Sequence, residues 1–224
     1  MRRFLRDNSL GLFFGVIFLG SLVGQGIAGW LQFNDQQDAS GLGRISLGGY
    51  LASADFAADV AENWQSEYLQ FLVYILATVW LLQRGSTESK EPGKAGHESD
   101  EEQRVGRYAT EDSPAWARVG DWRTAVFSRS IAIVMGTIFL LSWLAQSVAG
   151  WAAYDETRLG QLQQPISWTA YLANPDFWSR TLQNWQSEFL AVGSMAVLSV
   201  YLRHRGSPQS KPVGAPHEAT GVES

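Results

Sequence analysis

The heptapeptide NWQSEYL, Asn63 to Leu69, returns as NWQSEFL, Asn184 to Leu190, 121 residues further on, and each copy opens a run of uncharged, largely apolar residues. The same offset relates Gln25 to Gln146, Trp30 to Trp151, Ile45-Ser46 to Ile166-Ser167 and Tyr50-Leu51-Ala52 to Tyr171-Leu172-Ala173. It also relates Asp55-Phe56 to Asp176-Phe177 and Arg84-Gly85-Ser86 to Arg205-Gly206-Ser207. The register holds without a gap from Gln25 to Lys90, with roughly a third of the aligned positions identical. A fixed period of that length marks a duplication and not shared composition.

The apolar residues collect in four blocks. Residues 9–30, SLGLFFGVIFLGSLVGQGIAGW, and 130–151 carry no charge. At about 1.5 Å per residue, each is long enough to cross a hydrocarbon core of about 30 Å. Residues 64–82 and 185–202 are shorter, and each includes a Glu; they span if that Glu lies in the outer leaflet or reaches up to the interface. These blocks predict an all-α membrane protein: four transmembrane helices as two parallel repeats of a helical hairpin, with interfacial amphipathic helices and a disordered cytoplasmic linker and tail. The first hairpin occupies 1–84, the linker 85–112, an amphipathic helix and the second hairpin 113–206, and the tail 207–224. MRRFLR before the first block has the form of a signal n-region, but its duplicate ends QSVAGW in mid-chain where the first ends QGIAGW. The first block is therefore expected to be retained.

Arg and Lys set the orientation. They concentrate in the N-terminus (Arg2, Arg3, Arg6), in the middle segment from Arg84 to Arg129 and in the tail (Arg203, Arg205, Lys211), while the other two loops hold only Arg44, Arg158 and Arg180. The positive-inside rule places both termini and the middle segment in the cytoplasm. In the second outer loop, Asn174-Pro175-Asp176 supplies an N-cap, a proline at the first helical position and a first-turn acid, so the returning helix is expected to start there and to run about 28 residues, roughly 40 Å. ISLGGYL and ISWTAYL upstream have spacings that suit a short interfacial turn, with a loop lying on the headgroups as the favoured reading. Ser113-Pro114 followed by Trp116, Val119, Trp122 and Val126 predicts an amphipathic helix on the cytoplasmic leaflet.

Composition narrows the chemistry. With no Cys, the 224-residue chain has no disulfide, thiolate metal site or thiol nucleophile. His97, His204 and His217 lie in polar segments, so an intramembrane haem lacks its ligands. The net charge is −5 with no basic stripe for nucleic acid. No nucleophile-base pair, metal cluster or phosphate loop is present, so neither an enzyme nor a cofactor is expected.

The candidate site is a polar belt near the outer leaflet. Trp64 and Glu67 share a helical face, with Glu67 about one turn, roughly 5 Å, deeper. Gln25 lies five residues inward of Trp30 on the antiparallel partner, so Gln25 and Glu67 fall at similar depth, as do Gln146 and Glu188. Asn63 and Asn184 add donors, and Trp30, Trp64, Trp151 and Trp185 read as interfacial anchors. The belt has two readings. It holds the bundle together by interhelical hydrogen bonds, with the acids snorkelling, which is the favoured one; or Glu67 and Glu188 approach each other and form a proton or cation site.

The repeat, the QxxAGW ending, NWQSEFL and RGSxxSK together resemble a family of uncharacterised bacterial inner-membrane proteins that carry a domain of unknown function. The resemblance covers both halves and implies a membrane location but no activity. The expected role is a non-enzymatic structural or interaction component of the cell envelope. The alternative is a small oligomeric proton- or cation-coupled transporter or channel. Expected partners are the lipid bilayer and a second copy or another membrane protein, with no nucleic acid.

Overall fold

The computed structural model describes residues 2–222; Met1 of the basic N-terminus and the last two residues of the tail lie outside that range. Nine α-helices, one 3-10 turn at Gly106–Tyr108 and no strand occur among the described residues. The helices are α1 (Arg2–Asp7), α2 (Ser9–Ala39), α3 (Leu47–Leu51), α4 (Ala54–Trp80), α5 (Ala115–Arg118), α6 (Trp122–Phe127), α7 (Ser130–Gly160), α8 (Trp168–Leu172) and α9 (Pro175–Tyr201). Elements α7, α8 and α9 begin and end 121 residues after α2, α3 and α4.

Two helices, α2 and α7, are long and apolar enough to cross a membrane, each with a mean hydropathy of 1.9 over its most apolar stretch. The four spans expected from the sequence reduce to these two on that criterion. The reason lies in composition: α4 and α9 open with the polar turns ADFAADVAEN and PDFWSRTLQN and then carry Gln, Ser and Glu into their apolar halves. Both α2 and α7 also continue well past Trp30 and Trp151, because LQFNDQQDA contains no helix breaker and AAYDETRLG none before its final glycine.

The large apolar side chains of α2 and α7 are mostly exposed, Leu10 at 72% and Leu141 at 61%. Buried positions on the long helices include polar groups such as Gln65, Ser66, Gln146, Ser147 and Thr181, beside a few apolar ones such as Phe139 and Phe177.

The chain forms two compact units: residues up to Ala61 with Ala145–Asn174, and Glu62–Leu144 with the chain from Pro175 onward. In the first unit, both copies build the same corner after the long helix. The Trp30 indole N–H donates to the Ile45 carbonyl at 2.8 Å, and the Asn34 side-chain oxygen accepts the Ile45 N–H at 2.8 Å. In the second copy Trp151 donates to Ile166 O at 2.8 Å and Asp155 accepts the Ile166 N–H at 2.9 Å. One peptide unit is thereby held from both sides, which satisfies backbone groups that an irregular loop would leave open. Ser46 and Ser167 then cap α3 and α8 through the N–H of Gly49 and Ala170. The loop expected on the headgroups is in each copy a one-turn helix.

In the second unit, Trp143 of α7 stacks on Phe139 and on Phe177 of α9, with Trp178 edge-on and Trp185 tilted against it. Downstream of α4 and α9, RGSxxSK forms one turn twice. The hydroxyls of Ser89 and Ser210 accept the N–H of Gln83 and His204, each at 2.9 Å, and donate to the carbonyls of Lys90 and Lys211. Gly85 and Gly206 take φ of +88° and +81° inside these turns, a backbone that favours glycine. Each glycine therefore belongs to the turn and not to a helix end, since α4 and α9 end earlier, at Trp80 and Tyr201.

Residues 85–112 and 207–222 carry no α-helix and are turns and coil. Lys211, 1% exposed, donates its ammonium protons to the carbonyls of Gly85, His217 and Ala219. The amphipathic helix expected from Ser113 onward is two short helices, α5 and α6. Gly120, at φ +70°, breaks the run, and Asp121 starts a new helix by accepting the Arg123 N–H at 2.8 Å.

Candidate functional site

The NWQSE copies begin at the junction between the polar and apolar halves of α4 and α9. Two residues apart on a helix means about 200° of rotation, so Gln65 and Glu67 leave α4 on opposite sides. Gln65 is fully buried and Glu67 is exposed. The Gln65 side-chain oxygen accepts the Trp185 indole N–H at 2.8 Å. Its amide nitrogen has no hydrogen-bond partner, nor has the buried indole nitrogen of Trp143.

One turn earlier, Glu62 ties α4 to α9. Its carboxylate accepts from Arg180 Nε and from Asn184 Nδ2, both at 2.6 Å, and Asn184 also donates to the Arg180 carbonyl at 3.1 Å. The side chains of Glu62 and Arg180 are 15% and 35% exposed, which gives this pair less screening than a surface ion pair has. Asn184, expected as a donor for the belt, therefore serves Glu62. Asn63 and Glu67 are exposed, and Glu188 is half-buried and feels the Glu67 charge.

Gln25 and Gln146 belong to the first unit and Glu67 and Glu188 to the second. Gln146 is buried at 2% exposure. Gln25 lines a cavity of about 330 Å³ with Gln32, Gln36, Tyr50, Asp55 and Asp59. Burial, then the charges of Asp59 and Asp55, push the Tyr50 phenol above its ordinary value, so it remains a neutral donor there. Of the four tryptophans read as anchors, Trp30 and Trp151 hold the loop corners, Trp185 holds Gln65, and Trp64 is 41% exposed. Among the described residues no three of His, Cys, Asp and Glu converge to hold a metal ion.

Glu62, Arg180 and Gln65 were not among the sequence candidates, though a signal for the first two exists. At offset 121, Glu62 faces Gln183 and Asp59 faces Arg180, so the two copies carry different charges where the ion pair forms. Arg180 and Asn184 are also four apart and share a helical face.

The family model described as Domain of unknown function (DUF6766) matches residues 1–222. The chain belongs to this family. No curated protein and no solved structure matches it. The family match spans both NWQSE copies and both RGSxxSK turns, so the belt and the turn modules lie within one domain of the family.

Proposed function

We propose that the chain is an integral protein of the bacterial inner membrane, crossing it four times as two parallel helical hairpins with both termini in the cytoplasm, and that it acts without catalysis as a structural or interaction component of the cell envelope. The observation that carries this reading is the inverted burial: most Leu, Val, Ile and Phe side chains of the long helices lie outside, Phe139, Phe177 and Val200 excepted, while Gln, Ser and Thr take buried positions. A contiguous apolar exterior of that extent suits lipid and not water, and interhelical packing in lipid uses small and polar residues. At 27 residues, or about 40 Å, α4 and α9 are long enough to span and still stand proud of the bilayer. The closed Glu62–Arg180–Asn184 network supports polar residues as a fixing device between α4 and α9. The lipid bilayer is the first partner, with a second copy or another membrane protein as the protein partner.

A second reading, proton- or cation-coupled transport, is favoured by the half-buried Glu188 within electrostatic reach of Glu67. Proteoliposomes carrying wild type and the Glu67→Gln, Glu188→Gln double variant separate the two. The structural role predicts no flux driven by a pH gradient from either protein and equal thermal stability in detergent. A wild-type flux that disappears in the double variant overturns it in favour of transport.

A further inference from the structure

Residues of α4, of α9 and of the turns that follow them line a groove of about 500 Å³ in the second unit. Its ten lining residues fall into five pairs, each related by the 121-residue offset, among them Phe71 with Val192, Tyr74 with Met195 and Glu88 with Gln209. The duplication thus supplies both walls from the same positions. None of the five pairs is identical, although roughly a third of positions across the repeat are. Divergence has given the walls different chemistry: two aromatic rings and a carboxylate on one, an aliphatic chain, a thioether and an amide on the other.

Glu88 is the sole charged side chain on the groove. It accepts the Tyr74 phenol O–H, while its own backbone N–H goes to the Ser86 hydroxyl. Among the described residues no Lys or Arg is paired with it. A carboxylate has about four acceptor sites, so a single phenol leaves most of them for a ligand. One carboxylate is too few oxygens for Ca²⁺ or Mg²⁺, and no cationic side chain is present to draw an anion. The rest of the lining is uncharged: Gln70, Thr87 and Gln209 are its polar members, while Phe71 and Tyr74 supply aromatic rings suited to a cation and Met195 a polarisable, adaptable surface. A volume of this size is in the range of small-molecule sites, about 300–1,000 Å³.

We propose that this groove binds amphiphilic organic monocations, with the charged head between Glu88 and Tyr74 and the apolar body along Phe71, Val192 and Met195. The site is separate from Glu67 and Glu188, and it stands whether the protein is a scaffold or a transporter.

The test is isothermal titration of the purified full-length chain in a neutral detergent with tetraphenylphosphonium, using tetraphenylborate as the anion of the same shape. The expected result is saturable one-to-one binding of the cation only, weakened at least tenfold by Glu88→Gln and a few-fold by Tyr74→Phe. Met195→Trp, which fills the groove and keeps the carboxylate, should also abolish binding, so the result does not hang on one variant. The Glu67→Gln, Glu188→Gln double variant should bind as wild type does. Equal binding of the borate, unchanged affinity in both Glu88→Gln and Met195→Trp, or loss of binding in the double variant alone would each overturn the proposal.

Discussion

A Cβ built on Gly150 would lie 2.7 Å from the Tyr171 hydroxyl, and one on Gly29 would lie closer still to that of Tyr50. These glycines are needed for space and not for backbone freedom, since both sit inside long helices where glycine costs about 1 kcal/mol relative to alanine. Each precedes the tryptophan that holds its corner, so the pair Gly-Trp joins a tyrosine seat to an indole donor in both copies. Gly29→Ala is therefore expected to destabilise the protein by about 1–3 kcal/mol through overpacking, read as a lower midpoint of thermal unfolding in detergent. Because the clash begins at the phenol oxygen, Tyr50→Phe should recover part of that loss in the double variant. Strictly additive effects would show that the glycine matters for another reason. At this scale the tryptophans stood out in the sequence as interfacial anchors, whereas the groups that Trp30, Trp151 and Trp185 hold did not. The bond from Trp30 to Ile45 joins residues far apart in the chain, and no local spacing encodes it. Glu62 was passed over because an acid in the polar turn before a span has the ordinary profile of a solvated residue, and its partner Arg180 is supplied by the other copy.

Among the elements, the strongly signalled start was legible: α9 begins at Pro175 with Asp176 in its first turn. At the start of α4, Ser53 accepts the Phe56 N–H. Helix ends were less so, because α2 and α7 run past the tryptophans through polar residues with adequate helix propensity. The break between α5 and α6 was hidden by apolar spacing that continues through Gly120, since periodicity reports which face is apolar and not whether the backbone stays helical. RGSxxSK was visible as a repeated motif, but its side-chain geometry was not. Its lysine in the first copy, Lys90, donates to the Gly96 carbonyl at 2.6 Å and pairs with Glu98. The Lys90 ammonium, first among the causes, holds the Glu98 carboxyl below its ordinary value. A depressed acid adds stability above its unfolded pKa of about 4.3, and that addition is lost as pH falls through the folded value. Carboxyl-carbon NMR titration should accordingly place Glu98 below a free glutamate, and Lys90→Met should raise it toward the ordinary range. Exchange of the Gly96 amide, which donates to Val79 O at 2.7 Å, should speed up below that pH beyond its intrinsic rate. A normal Glu98 titration in the wild type would remove the ion pair from the account of this turn.

For the molecule as a whole, the duplicated order of elements was readable because a gapless repeat transmits its secondary structure along with its residues. The expected sidedness rests on Arg and Lys counts alone, and the number of crossings depends on how α4 and α9 are treated. Hydropathy separates them from α2 and α7, because Glu67, Gln70 and Glu188 dilute their windows. Length and inverted burial favour insertion of all four, since a chain with two crossings by α2 and α7 alone would leave the apolar halves of α4 and α9, including Leu76 and Leu198, facing water. The absence of cysteine makes the question direct, because single thiols need no background removed. Ser40→Cys and Gln161→Cys, both exposed after the ends of α2 and α7, should react with a membrane-impermeant maleimide in intact spheroplasts. Ala95→Cys, between the two copies, should react only after the membrane is opened. Four crossings require that pattern; two crossings by α2 and α7 require Ser40 and Gln161 on opposite sides, because the chain between them would pass the bilayer only through α7. Labelling of Ser40 from outside with Gln161 protected would therefore reduce the protein to two spans and place α4 and α9 at the surface.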